Sequence, residues 1–248
     1  MIALTFEQLL DGHEKAIITG YRLLMAAMSL VGEFPEVSLG IAELGQEEIG
    51  KSLSFLAAFG FDSHKPTWSW FWSAWRNHQL KAHRAYLYEL IYPHRIETLD
   101  RDGSRLPAPS VRAKIKQEKE YSFYVNFDAA SGTFKSPVDA IDLVETANRV
   151  LTLLYLASTA RSVRLALDEQ EKPFGYVAFS EIALRICSEN LFQEDMPSLF
   201  KEFEARSTKH GKLISSLRNR LEDGRIQIEA LLNEKGQGSH PSSRPDYP

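Results

Sequence analysis

Two clusters of ionisable residues stand close together in the first third of the chain. The first is QEEIGKSL. Glu47 and Lys51 are four residues apart and Glu48 and Lys51 three, so on a helix both pairs share neighbouring surface. A pair of this kind is either a solvated ion pair of little energetic weight or a carboxylate set against apolar flanks. Ile41, Ala42 and Leu44 precede the cluster, and Ile49, Leu53, Phe55 and Leu56 follow it. Ala42, Ile49, Leu53 and Leu56 fall near one stripe, with Glu48 at its edge and Lys51 as the nearest partner for a half-buried carboxylate. The second cluster is WSWFWSAWRNHQLKAHR. All four tryptophans, Trp68, Trp70, Trp72 and Trp75, lie within it, and Arg76, His78, Lys81, His83 and Arg84 follow directly. Trp68, Trp72 and Trp75 share a helical face, which suits packing. His78 and Lys81 share another, and His83 lies two turns past Arg76 on nearly the same side. Imidazole, guanidinium and ammonium groups side by side suit a phosphate or an RNA backbone; a solvated basic face is the plain alternative. Arg76 to Arg84 contains no acidic residue.

These residues need helices to hold them, and helical spacing dominates the chain. Phe6, Leu9, Leu10, Ala16, Ile17, Leu23, Leu24 and Met28 recur at intervals near three and four. Pro35 separates this helix from a second, roughly Val37 to Phe59, with Ser38 as its N-cap and Gly60 as its stop. FDSHKPTW reads as a loop. A third helix is expected over Trp68 to Tyr92, ended by Pro93. Residues 94–109 read as a loop, and 111–120 as a short charged helix capped by Ser110. Tyr121, Phe123, Val125 and Phe127 then alternate with polar residues, which predicts a strand, and Thr133 to Lys135 completes a small hairpin. Ser136 and Pro137 restart a helix that runs to about Glu169, with Ile141, Val144, Val150, Leu151, Leu154 and Ala157 inward. A further helix ends near Asn190, and Met196 to Leu232 is helical with a break near Gly211. The expected architecture is all-α, a single helical domain over 1–234 with a hairpin insertion near 121–135, and a disordered tail over 235–248.

Composition narrows the function classes. There are 29 Lys and Arg against 33 Asp and Glu, a formal net charge of −4, with 44% hydrophobic and 25% charged residues. Those values fit a folded globular chain and argue against disorder or a general nucleic-acid coat. Apolar stretches such as Val150 to Ala157 break well short of the roughly 20 residues of a membrane span, so no membrane association is expected. MIALTFEQLLDGHEK lacks the basic start and apolar run of a signal peptide. The one cysteine, Cys187, sits in an apolar pattern and is expected to be a buried thiol. A cytoplasmic location fits. No Glu-x-x-His or His-x-x-x-His spacing occurs, nor a Gly-rich phosphate loop or a G-x-S-x-G elbow. No metal site and no cofactor is expected.

The order of motifs resembles the AbiV family of abortive-infection proteins, bacterial phage-defence factors. Its Glu-Glu-x-Gly-Lys helix matches Glu47, Glu48, Gly50 and Lys51, and its His-x-x-Lys matches His78 and Lys81. Lys116-Gln117, Tyr124-Val125-Asn126-Phe127 and Pro137 look like a later family stretch, with Asn126 where the family has Asp. The resemblance covers roughly residues 8–170; the helical extension over 171–234 matches nothing. It implies membership of the HEPN helical domains, many of them metal-independent ribonucleases that act as homodimers. Their signature, Arg and then His after four to six residues, fits Arg76 and His83. On this resemblance a His takes the ribose 2′-OH proton, an Arg or Lys stabilises the phosphate, and Glu47 or Glu48 orients the basic group. Glu48, Lys51, His78 and Lys81 are expected to form one polar cluster between two helices. RNA and a phage-encoded protein trigger are the expected partners. The alternative is a non-catalytic protein that binds a phage or host protein through its Trp-rich helix.

Overall fold

The structure is a computed structural model of the chain. It describes residues 2–61, 67–91, 122, 124–128, 132–137, 141–188 and 195–236. Within them the molecule is a helical bundle with one small hairpin, all-α as the sequence predicts. Helix α1 spans Phe6–Leu30. Its first turn closes by a capping box, in which Gln8 N donates to Thr5 Oγ1 (3.3 Å) and Thr5 N donates to Gln8 Oε1 (2.9 Å). Helix α2 spans Pro35–Ala58, with Pro35 at its first position and Phe34 as N-cap. Ser38 is therefore not a cap. It is buried inside α2 and donates to the Ala27 carbonyl of α1 at 2.8 Å. Phe59, in the right-handed helical region, is the C-cap of α2. The backbones of α1 and α2 nearly touch: a Cβ on Gly20 would stand 3.0 Å from the Gly45 carbonyl oxygen, and one on Gly45 3.2 Å from that of Gly20.

The expected single helix from Trp68 is three: α3 (Thr67–Arg76), α4 (His78–Tyr86) and α5 (Tyr88–Ile91). Asn77 makes the first break. Its backbone is extended, and its side-chain oxygen accepts from Leu80 N at 3.0 Å, so it caps α4 instead of continuing α3. The strands are shorter than the alternation predicts: β1 (Asn126–Asp128) pairs antiparallel with β2 (Thr133–Lys135), Phe127 opposite Phe134, and Gly132 takes a positive φ in the turn. Pro137 is helical, as the sequence predicts, but residues 141 and 142 are not, and helix α6 (Leu143–Asp168) starts from Asp142, whose carboxylate accepts from Glu145 N at 2.8 Å. Val144 accordingly faces out. Then come α7 (Phe174–Ser188), α8 (Met196–Glu204) and α9 (Thr208–Gly236). The α8–α9 break lies at residues 205–207, so α9 runs through Gly211 and takes in residues 235 and 236 of the expected tail. The rest of that tail, the 94–109 loop, the 111–120 helix and residues 62–66 lie outside the described residues.

Helix α2 is the hub. It packs on α1, α4, α6 and α7, and its last two turns, from Ser52 to Ala58, are buried on every side. One apolar core joins residues from Leu9 in α1 to Ile228 in α9. Helix α6 is long and apolar enough to cross a membrane by length and composition alone, but 72% of its most apolar window is buried in this core. It is used here as an interior helix.

Candidate functional site

The α2–α4 interface carries the site. Gly50 determines how close the two helices come: a Cβ there would lie 1.6 Å from the Lys81 carbonyl oxygen. With that side bare, Glu47, three residues earlier on the same side of α2, reaches two side chains of α4. Glu47 Oε2 lies 2.6 Å from His78 Nδ1 and 3.3 Å from Lys81 Nζ. Glu47 and Lys81 are buried, whereas the His78 side chain is 67% exposed. A carboxylate at Nδ1 makes that nitrogen the N–H bearer in the neutral ring, which leaves the Nε2 lone pair to solvent. The site therefore offers one outward-facing basic nitrogen, held from behind by a buried carboxylate whose charge a buried ammonium balances.

The predicted residues divide into two groups. Glu47, His78 and Lys81 come together. Glu48 and Lys51 pair with each other, and the Lys51 ammonium sits 5.1 Å from the centre of the Trp75 ring. The carboxylate serving His78 and Lys81 is thus Glu47, one of the two glutamates expected to orient the basic group, and it takes the place expected for Glu48 in the cluster with His78 and Lys81. Consecutive helix residues point about 100° apart, and it is Glu47 that shares the α4-facing side with Gln46 and Gly50. Arg76 is exposed at the end of α3, next to the Asn77 break. His83, five residues past His78, is half-buried. Trp68 is buried, and Trp70, Trp72 and Trp75 pack against the core. Trp72 Nε1 also donates to the Ile2 carbonyl at 2.7 Å, tying the N-terminus to α3.

Sequence reasoning passed over several buried polar groups beside the site. Glu43 and Gln46 of α2 are enclosed and bind Arg149 of α6, at 2.7 Å from Glu43 Oε1 and 2.8 Å from Gln46 Oε1 to its Nη2. Their signal is a polar residue at an inward position of an otherwise apolar helix. Arg84 of α4 is 1% exposed; its Nη1 donates to Ser54 Oγ at 2.7 Å and its guanidinium lies 4.2 Å from the centre of the Trp70 ring. Burial lowers its pKa from the ordinary value, with the Cys187 thiol acting in the opposite sense. Cys187 itself is half-buried as a residue, but enclosure of the thiol pushes it up to about 11, against the pull of Arg84. The shift disfavours the thiolate, the reactive form of a cysteine. Among the described residues no three His, Cys, Asp or Glu side chains gather as a metal-binding set.

No family model, no curated protein and no solved structure matches this chain.

Proposed function

We propose that the chain is a bacterial phage-defence protein of the abortive-infection AbiV type, a HEPN-like bundle that works in the cytoplasm and stops growth by cutting RNA without a metal. The observation that carries this reading is the exposed His78 imidazole, held through Nδ1 by buried Glu47. In the proposed reaction His78 Nε2 takes the proton of a ribose 2′-OH. The 2′-oxygen attacks the adjacent phosphorus, the P–O5′ bond breaks and the departing 5′-oxygen takes a proton from solvent water, which yields a 2′,3′-cyclic phosphate and a 5′-hydroxyl end. Arg76, exposed two residues from His78, supplies positive charge to the phosphate oxygens. Glu47 and Lys81 are positioning residues that do not touch the substrate. Glu48 and Lys51, engaged with each other and with Trp75, support the fold around the site. His83, half-buried, completes the spacing of Arg76, six residues and a His. The protein acts as a homodimer and is released to act by a phage-encoded protein.

A single experiment separates the residues. RNA cleavage is followed for the full chain, His78→Ala, His83→Ala and Arg76→Ala. A general base contributes roughly 100- to 10,000-fold, so His78→Ala is expected to lose that much and Arg76→Ala less. His83→Ala is expected to keep most of the activity. Cleavage that survives all three changes sinks the catalytic reading. Phage protection that His78→Ala abolishes, in a wild type that cuts no RNA, points instead to a binding protein.

A further inference from the structure

A buried amide ties the site to α6. Gln46 is wholly enclosed. Its Nε2 donates to the Ala82 carbonyl oxygen of α4 at 2.7 Å, and its Oε1 accepts from Arg149 Nη2 at 2.8 Å. Arg149 also donates to Glu43 Oε1 from Nε (3.2 Å) and Nη2 (2.7 Å), and its guanidinium lies 5.1 Å from the centre of the Tyr86 ring. A glutamine amide has one accepting end and one donating end, and a guanidinium only donates. Arg149 therefore dictates which way round the amide sits. The oxygen faces α6 and the NH2 group must turn to α4, where it meets a carbonyl. The Glu43 carboxylate holds the guanidinium in place, so a flipped amide would set two buried donors against each other.

The position of this contact gives it a role. Ala82 is one turn past His78 on the same side of α4. Gly50 is one turn past Gln46 on α2 and abuts the Lys81 carbonyl. These two backbone contacts set how far α4 slides and rolls along α2. The 2.6 Å Glu47–His78 contact, and with it the tautomer of the ring, depends on that setting.

We propose that Gln46 is a further positioning residue of the His78 site, acting behind Glu47 and Lys81, with Arg149 fixing the direction of its amide. Its effect on cleavage rests on the ribonuclease reading; its effect on the imidazole does not. Gln46→Leu removes the link to Ala82 and leaves the Glu43–Arg149 pair intact. Gln46→Glu keeps an acceptor for Arg149 but puts no donor opposite Ala82. The ring nitrogens of His78 are observed by 15N NMR in the full chain and in both variants, with Glu47→Gln as the reference for a lost carboxylate. Thermal unfolding reports whether each variant is folded, and Arg149→Lys, which keeps the charge beside Glu43, replaces Gln46→Leu if that variant unfolds. Wild type is expected in the Nδ1–H form, and both Gln46 variants to shift towards the Nε2–H form. Their kcat should fall roughly 10- to 100-fold with little change in KM. A wild-type tautomer in both Gln46 variants, while Glu47→Gln alters it, overturns the proposal. A wild type that cuts no RNA overturns the ribonuclease reading alone, and the tautomer comparison still decides the role of Gln46.

Discussion

Glu47 and Lys81 hold opposite charges in a nearly dry place, and that makes them unequal to a surface pair. Removing one partner leaves the other buried and uncompensated, which costs about 3–5 kcal/mol. Glu47→Leu is therefore expected to destabilise the protein by about that amount in urea unfolding. Glu47→Leu combined with Lys81→Met should recover most of the loss, since an apolar pair of similar volume needs no counter-charge. A double variant as unstable as the sum of its parts would show that the two side chains are not energetically coupled. Glu48 and Lys51 are more exposed and local in sequence, so their removal should cost much less. The residue types at this site were legible in the sequence, because the Glu-Glu-x-Gly-Lys and His-x-x-Lys spacings singled out the right two helices. Which glutamate faces His78 was not legible. That depends on the rotation of α2, and α2 is buried on several sides, so its apolar pattern does not point in one direction.

Among the elements, α2 and α4 are joined by glycine. Gly50→Ala would drive a methyl group into the Lys81 carbonyl, which is backbone and cannot swing aside. The expected result is a loss of about 3 kcal/mol or more in chemical denaturation, together with separation of His78 from Glu47. A Gly50→Ala protein of wild-type stability would mean that α4 does not sit this close. The sequence marks Gly50 only as part of a motif, and nothing local reveals that its role is packing against a helix about thirty residues on. The same limit explains the α3–α4 break. Helical spacing runs unbroken from Trp68 to Ile91, and the tryptophan pattern favours continuity. Asn77 overrides it by offering the backbone of α4 a side-chain acceptor. The start of α6 follows the same logic: Pro137 is helical, but Asp142 caps a new helix where the spacing predicts one continuous helix from Pro137. Each boundary turned on one short polar side chain competing with a periodicity.

For the molecule as a whole, the clearest expectation concerns acid. His13 on α1 is completely buried, edge-on to Tyr176 of α7, and among the described residues neither ring nitrogen has a hydrogen-bond partner. Burial, and then the nearby Arg164 charge, lower its pKa to about 3, with Asp168 acting the other way. In the unfolded chain a histidine titrates near 6.5. Between those values the unfolded state binds the extra proton, so stability falls as pH drops below about 6.5, by up to about 1.4 kcal/mol per unit. Urea unfolding at pH 7, 6, 5 and 4 should show this slope, and His13→Leu should flatten it. An unchanged slope in that variant would place the acid sensitivity elsewhere. Asp168 contributes only at lower pH. Burial alone would raise its carboxyl, but hydrogen bonds from Tyr176, Lys172 and Arg164 hold it below the ordinary value.

The central place of α2 also has a kinetic meaning. Its amides from Ser52 to Ala58 are shielded by the surrounding helices, so they should trade hydrogen for deuterium only when the whole protein opens. Helix α4 has nine residues, too few to persist alone, and its first turn is exposed. The Leu80 and Lys81 amides, which donate to Asn77 Oδ1 and to the Asn77 carbonyl, should exchange orders of magnitude faster, through opening of that turn alone. Half of the site is then built into the slowest-opening part of the molecule, and the other half hangs from a turn that can open by itself. Native-state exchange would reveal the two rates side by side; equal rates would mean that α4 is locked as firmly as the hub it rests on.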